Sequence, residues 1–350
     1  MRDWGDWPVI DPATSWEDAQ TALEAAELSD GLPMVPPTRG RLDAMLAGVN
    51  DPDRSHGEMP PLFGDLTAAA VAYQCVLAGC RPAELPLVLT AAEACLDPSF
   101  NLLGLATTTG TAWVAMIVHG PIAARLGLNA GTNCLGPGNR ANACIGRALS
   151  LVLRNVAGAR PEIGDMATMG QPGKYTFCFA ENADAMLPPL HVRRGFSADN
   201  DVVTVLGVSG TAELLPWGNW DSPEMILGPV ATAMASAVTV SGAARKPARC
   251  EQIVLLPPEI VELLKRQGMD VAGIQHYLYE RRFEPPPGAA PTAGNDGPGD
   301  ASGPSAEIGR IARSAADIHP VVTGGAGIKM TYVPSWGGGT YSVTRAVLRP

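Results

Sequence analysis

Asn139, Arg140 and Asn142 follow the turn Gly136-Pro137-Gly138 and open a long periodic segment. Amide and guanidinium groups so placed can hold a carboxylate or phosphate through paired hydrogen bonds. A Gly/Pro turn feeding a helix also leaves backbone N–H groups free at the first turn, where Asn139 is the expected cap. Arg140 in that turn opposes the helix dipole by a few tenths to about 1 kcal/mol, a cost that a bound anion would reverse. Two readings stay open. One is a small-anion site at the helix start. The other is an ordinary loop before a core helix whose arginines, Arg140, Arg147 and Arg154, are solvated or paired with structural carboxylates.

Proton transfer needs other residue types. Lys174, beside Gln171 in GQPGKY, Glu181 at the end of KYTFCFA, and His119 after AWVAMIV are the groups that could move a proton near an oriented substrate. Strand ends face crevices in α/β proteins, which favours His119, although a lone histidine there is also an ordinary hydrogen-bonded residue. Among the seven cysteines, Cys80 before Arg81 and Cys134 in the central loop could carry a lowered thiol pKa, because cations favour thiolate. Cys144, one turn into the helix, reads as a buried structural thiol. There is no CxxC, no HExxH and no metal-finger spacing, so no metal ligand is expected and no cofactor is named. GxGxxG after a strand, GxxxxGK[ST] and GxSxG are absent too, which disfavours dinucleotide, P-loop and α/β-hydrolase chemistry.

The elements that must position these groups follow from hydrophobic period. Helices are expected after Ser15, after Thr38, over Leu66–Ala78 and Pro82–Cys95, from Arg140 onward, over Met225–Val240 and over Pro258–Gln267. Strands are expected over Leu102–Thr109, Trp113–Val118, Lys174–Ala180, Val202–Val208, Gln252–Leu256, Ile318–Val322 and Tyr341–Leu348. That alternation predicts an α/β protein with mixed or parallel sheets flanked by helices, in two subdomains. Residues 1–200 would form an N-terminal domain carrying the central loop and helix. Residues 201–350 would form a second, interrupted by a disordered Pro/Gly linker at 284–306.

With 350 residues and 46% hydrophobic residues, the chain is long and apolar enough for a substantial core. A net charge of −10 argues against nucleic acid or an anionic membrane as partner. The N-terminus lacks the pattern of a signal peptide and no apolar run reaches a membrane span, so a cytoplasmic protein is expected.

The segments DGLPMVPPT, AGCRPAELPLVL, LGPGNRANACIGRALSLVLRN and MGQPGKYTFCFAEN, with the late VVTGGAG, resemble a bacterial family encoded beside, or fused to, small proteins bearing a UGSC or CGSC motif. The resemblance implies a partner subunit whose selenol or thiol supplies the nucleophile or reductant, since this chain has no such motif. It also favours Cys80 over Cys134, because the family pattern does not require a cysteine at position 134. The resulting expectation is an oligomeric enzyme subunit acting on a small anionic substrate, by lyase or reductase chemistry at a carbon–heteroatom bond. Asn139, Arg140, Asn142 and Gln171 would bind substrate, and His119, Lys174, Glu181 and Cys80 would serve catalysis. A non-catalytic scaffold, or a self-sufficient hydratase or hydrolase using Glu181 or His119 as base, are the alternatives.

Overall fold

The computed structural model describes residues 4–182, 186–240, 251–281 and 311–347. Its N-terminal third is mainly helical. Ser15 caps α1 (Trp16–Ala25) with its side chain, and α2 (Arg39–Leu46) follows the extended proline segment. A hairpin, β1 (Ser55–Met59) and β2 (Gly64–Thr67), leads into α3 (Ala68–Ala78), which stops at Gly79 with φ +83°. Only glycine adopts that left-handed cap without penalty. Next come α4 (Leu85–Cys95) and α5 (Leu102–Thr107). The latter corrects the strand expected over Leu102–Thr109: Asn101 caps the segment by accepting from Gly104 N, and its apolar run is too short for period alone to separate helix from strand.

The rest of the chain builds two sheets on one plan. The first uses β3 (Trp113–His119), β4 (Cys178–Ala180) and β5 (Val202–Val208), with α6 (Pro121–Leu126), α7 (Arg140–Asn155) and α8 (Leu190–Arg193) in the connections. The second uses β6 (Ala212–Leu214), β7 (Gln252–Leu256), β8 (Ile318–Val322) and β9 (Met330–Val333), with α9 (Pro223–Val240), α10 (Pro258–Arg266) and α11 (Val271–Glu280) between them. The last strand is β10 (Val343–Ala346). Strand order is β10-β5-β3-β4 in one sheet and β6-β9-β7-β8 in the other. In each, one pair is parallel (β3 with β4, β7 with β8) and the other pairings are antiparallel. The edge strands are exchanged. The segment after β5 runs to the second sheet as β6, and the segment after β9 returns to the first as β10.

Inner faces of the two sheets meet through Ile117, Phe179 and Leu206 on one side and Ile253, Leu255 and Val321 on the other. Alternate residues of β3, Val114, Met116 and Val118, face α3, α4 and α7, while Val254 and Leu256 of β7 face α9, α10 and α11. The layers are therefore helix, sheet, sheet, helix, and strands buried on both faces read as unbroken apolar runs. The α/β class with mixed sheets holds, but the expected boundary at residue 200 does not divide two bodies. It falls just before β5, which belongs to the first sheet, and β10 completes that same sheet. The linker placed at 284–306 lies outside the described residues. Among the described residues no helix is long and apolar enough to cross a membrane.

The helix α7 buries Ile145, Ala148, Leu149 and Val152 against this scaffold, each large aliphatic contributing about 1.5–3 kcal/mol by leaving water. It crosses β4 so closely that a Cβ on Gly146 would stand 2.4 Å from Thr176 Oγ1 and 3.0 Å from Phe177 N. Gly146→Ala should therefore cost about 1–3 kcal/mol of overpacking, despite alanine's better helix propensity. A denaturant midpoint that stays put or rises would show that α7 can lift off the strand.

Candidate functional site

The three arginines of α7 have different fates. Arg140 clamps Glu84: Nη2 bonds Oε1, and Nη1 donates to Oε2 at 3.3 Å and to the Gly79 carbonyl at 3.4 Å. Arg147 clamps Asp30 with Nε and Nη2, both at 2.8 Å, and also reaches the Pro33 and Leu32 carbonyls. Arg154 has no such clamp. Its Nε is buried without a hydrogen-bond partner, and no ion pair to it is found among the described residues. Burial, then the neighbouring Arg160, lowers its pKa, yet a guanidinium remains charged in protein.

Arg154 lines a cleft of about 600 Å³ together with Trp113, Ser150, Asp165, Lys174 and Tyr175. Lys174 Nζ sits 2.7 and 2.6 Å from the two oxygens of Asp165 and 4.8 Å over the Trp113 ring. Trp113 Nε1 donates to Ser150 Oγ at 3.0 Å, which fixes the indole. Gln171 shares the cleft and ties it to the sheet, its Nε2 donating to the Thr111 and Val208 carbonyls at 3.0 Å each. Gln171 and Pro172 also line a second cleft of about 670 Å³, bounded by Cys134, Asn142, Thr176 and the Gly136-Pro137 turn.

The side-chain amides at the start of α7 are occupied. Asn139 makes no side-chain cap. Its Nδ2 donates to the Asn133 and Gly136 carbonyls and its Oδ1 accepts from Asn129. Asn142 accepts from Asn129 N and donates to the Asn129 and Cys134 carbonyls. Asn129, Asn139 and Asn142 tie the loop to itself through these bonds, as the ordinary-loop reading of the sequence expects. Cys80 corrects its expectation as well. Its Sγ–H donates to the Cys144 carbonyl at 3.3 Å, and contact with Cys75, burial and nearby Glu84 push the thiol well up rather than down.

His119 and Glu181 do come together. They close β3 and follow β4, neighbouring parallel strands whose ends lie side by side. His119 Nδ1 is 2.7 Å from Glu181 Oε2, His119 Nε2 is 2.9 Å from Thr204 Oγ1 on β5, and Leu190 N donates to Glu181 Oε2 at 2.8 Å. Gly120, at φ +78°, forms the tight turn after His119, where a Cβ would collide with the Asn200 carbonyl at 1.9 Å. On α8, His191 stacks on His119 with ring centroids 5.1 Å apart. Burial and His119 hold His191 below its ordinary pKa, so it is neutral near pH 7. Lys174 and Gln171 are not part of this cluster. Trp113 and His119 mark opposite ends of β3, about 20 Å apart at about 3.3 Å per residue.

The sequence thus foresaw four of the groups in these two places but missed Arg154, Trp113, Asp165, His191 and Thr204 as their partners. The seven-residue arginine period was the available signal for Arg154. What distinguishes it, the absence among the described residues of a carboxylate paired to it although Asp30 and Glu27 stand near, depends on residues far away in the chain. No family model matches the chain and no curated protein matches it, so the functional reading rests on this geometry.

Proposed function

We propose that the chain is an enzyme subunit that holds a small organic anion in the cleft over Trp113 and acts at a carbon–heteroatom bond. The observation that carries this reading is Arg154, a cation with a buried, unpartnered Nε in a mostly apolar cleft. An unmade hydrogen bond at such an atom costs about 1–3 kcal/mol, which a substrate carboxylate or phosphonate would recover. Trp113 and Tyr175 supply the surface for the substrate's apolar part. Lys174, paired with Asp165, is the group to give a proton to a departing heteroatom or to steady negative charge that develops on the substrate. The anion site moves in this reading from the start of α7, where the sequence suggested it, to its last turns.

A partner enters for two reasons. The resemblance to the family encoded beside UGSC or CGSC proteins implies a partner's thiol or selenol in a motif that this chain does not contain. Beside the cleft, Ile163, Met166 and Met169 are 55, 50 and 88% exposed, and apolar side chains grouped in this way suit a protein contact. A scaffold without chemistry of its own would use the same patch, so ligand response of the isolated chain separates the two.

The test is a thermal-shift and calorimetric screen of small carboxylates and phosphonates on the wild type and on Arg154→Ala. A ligand that stabilises the wild type should bind the variant about 10- to 100-fold more weakly, the equivalent of about 1.5–3 kcal/mol for a charged hydrogen bond. Equal affinity for both chains would remove Arg154, and with it the cleft, from substrate binding.

A further inference from the structure

We infer that His119, Glu181 and His191 form a binding site for one divalent transition-metal ion, separate from the cleft over Trp113. Each of the three residues offers one ligand atom, and these atoms lie within 4.8 Å of one another. The residues are only 1, 5 and 2% exposed. Two imidazoles and a carboxylate are the donor set of zinc and of non-haem iron, and the set is too nitrogen-rich for calcium or magnesium.

An independent observation concerns His191. Both of its ring nitrogens are buried and make no hydrogen bond; His119 and Glu181, and more weakly the Ala198 and Ser197 carbonyls, act on the ring from nearby. A buried imidazole without partners is costly in an otherwise saturated interior, and an ion shared with Glu181 and His119 removes that cost. Two neighbours of the cluster have the supporting roles that metal ligands need. Thr204 Oγ1 holds the Nε2 of His119, so that Nδ1 is presented to the ion, and Leu190 N fixes the carboxylate of Glu181. Ligand atoms about 2 Å from an ion lie within about 4 Å of each other, so binding requires a small closing rotation of His191. Three protein ligands leave a position open, and a divalent ion beside a single carboxylate carries net charge +1. The open position therefore suits a water molecule or an anionic ligand.

The experiment uses the full chain, stripped with a chelator and titrated with Zn²⁺ by calorimetry and with Co²⁺ by absorption. One equivalent of Zn²⁺ should bind and raise the melting temperature, and Co²⁺ should give the intense visible bands of a four- or five-coordinate site. His191→Ala, which removes no hydrogen bond, should keep the fold and lose more than about 100-fold in affinity, beyond the 10- to 100-fold that loss of a supporting partner costs. Thr204→Val should fall within that smaller range. His276→Ala removes an exposed histidine and should leave binding unchanged. Absence of stoichiometric binding to the wild type overturns the site. So does binding that His191→Ala leaves intact, or that His276→Ala abolishes. None of these outcomes depends on ligand binding at Arg154.

Discussion

A Glu251→Ala variant should lose about 3–5 kcal/mol of stability, the cost of stranding a buried cation when its partner is removed. Glu251 stands just before β7 and is 7% exposed. Its Oε1 receives Ser342 Oγ at 2.9 Å and contacts His319 Nε2 at 3.0 Å, its Oε2 receives Ser342 N at 2.6 Å, and Arg194 Nη2 approaches Oε1 at 3.3 Å. Arg194 is tied on its other side to Thr344, which bonds Thr204, which bonds His119. Loss of the carboxylate would therefore loosen a polar chain that crosses from one sheet to the other. Urea denaturation followed by circular dichroism measures the effect, and a loss below about 1 kcal/mol would show that Arg194 finds another partner. The same group sets an acid limit. Burial pushes the Glu251 carboxyl up, but His319, Arg194 and Ser342 outweigh it and leave it below the ordinary value. A depressed folded-state pKa contributes stability that is complete above the unfolded value, near 4.3, and is lost as pH falls through the folded value. Wild type and Glu251→Gln should therefore converge in stability below about pH 4 and diverge above it.

Arg140→Ala should destabilise the fold by about 2–3 kcal/mol, below the 3–5 of a fully buried pair because the Arg140 side chain is 37% exposed. Its effect comes through Glu84, whose side chain is 1% exposed and which, among the described residues, otherwise keeps only its bond to Arg81 N to offset its charge. Substrate affinity, measured on the folded fraction, should stay within about twofold of wild type. A large loss of affinity with stability unchanged would return the anion site to the start of α7. The comparison with Arg154→Ala is therefore reciprocal: one arginine should move the melting temperature and the other the binding constant.

Particular elements show why some of this was legible in sequence. The run AWVAMIV declares β3 because both faces are covered and every residue is apolar. The helix α7 declares itself by period, and KYTFCFA alternates so that Phe177 and Phe179 join the core between the sheets while Cys178 faces the helices. The pairings were not legible. Arg140 meets Glu84 across 56 residues and Arg147 meets Asp30 across 117, so a stripe of three equivalent arginines in sequence becomes two structural clamps and one cation without an ion-pair partner among the described residues. His119 and His191 fail every local metal spacing because two strand ends and a short helix bring them together, not one turn or one helix face. The strands β6 and β9 are three and four residues long, below and at the shortest length over which alternation identifies a strand.

The exchanged edge strands bear on how the molecule comes off the ribosome. The strand β5 is synthesised by residue 208, but its outer neighbour β10 begins only at Val343, after the whole of the second sheet. Until then the N-terminal sheet has an open row of peptide groups along β5, the kind of edge that templates pairing with another chain. The nascent chain cannot finish its N-terminal half first and its C-terminal half afterwards, as multidomain proteins do. Both halves close together with the arrival of β10, so a stop codon placed just before Val343 would leave the earliest-made sheet incomplete.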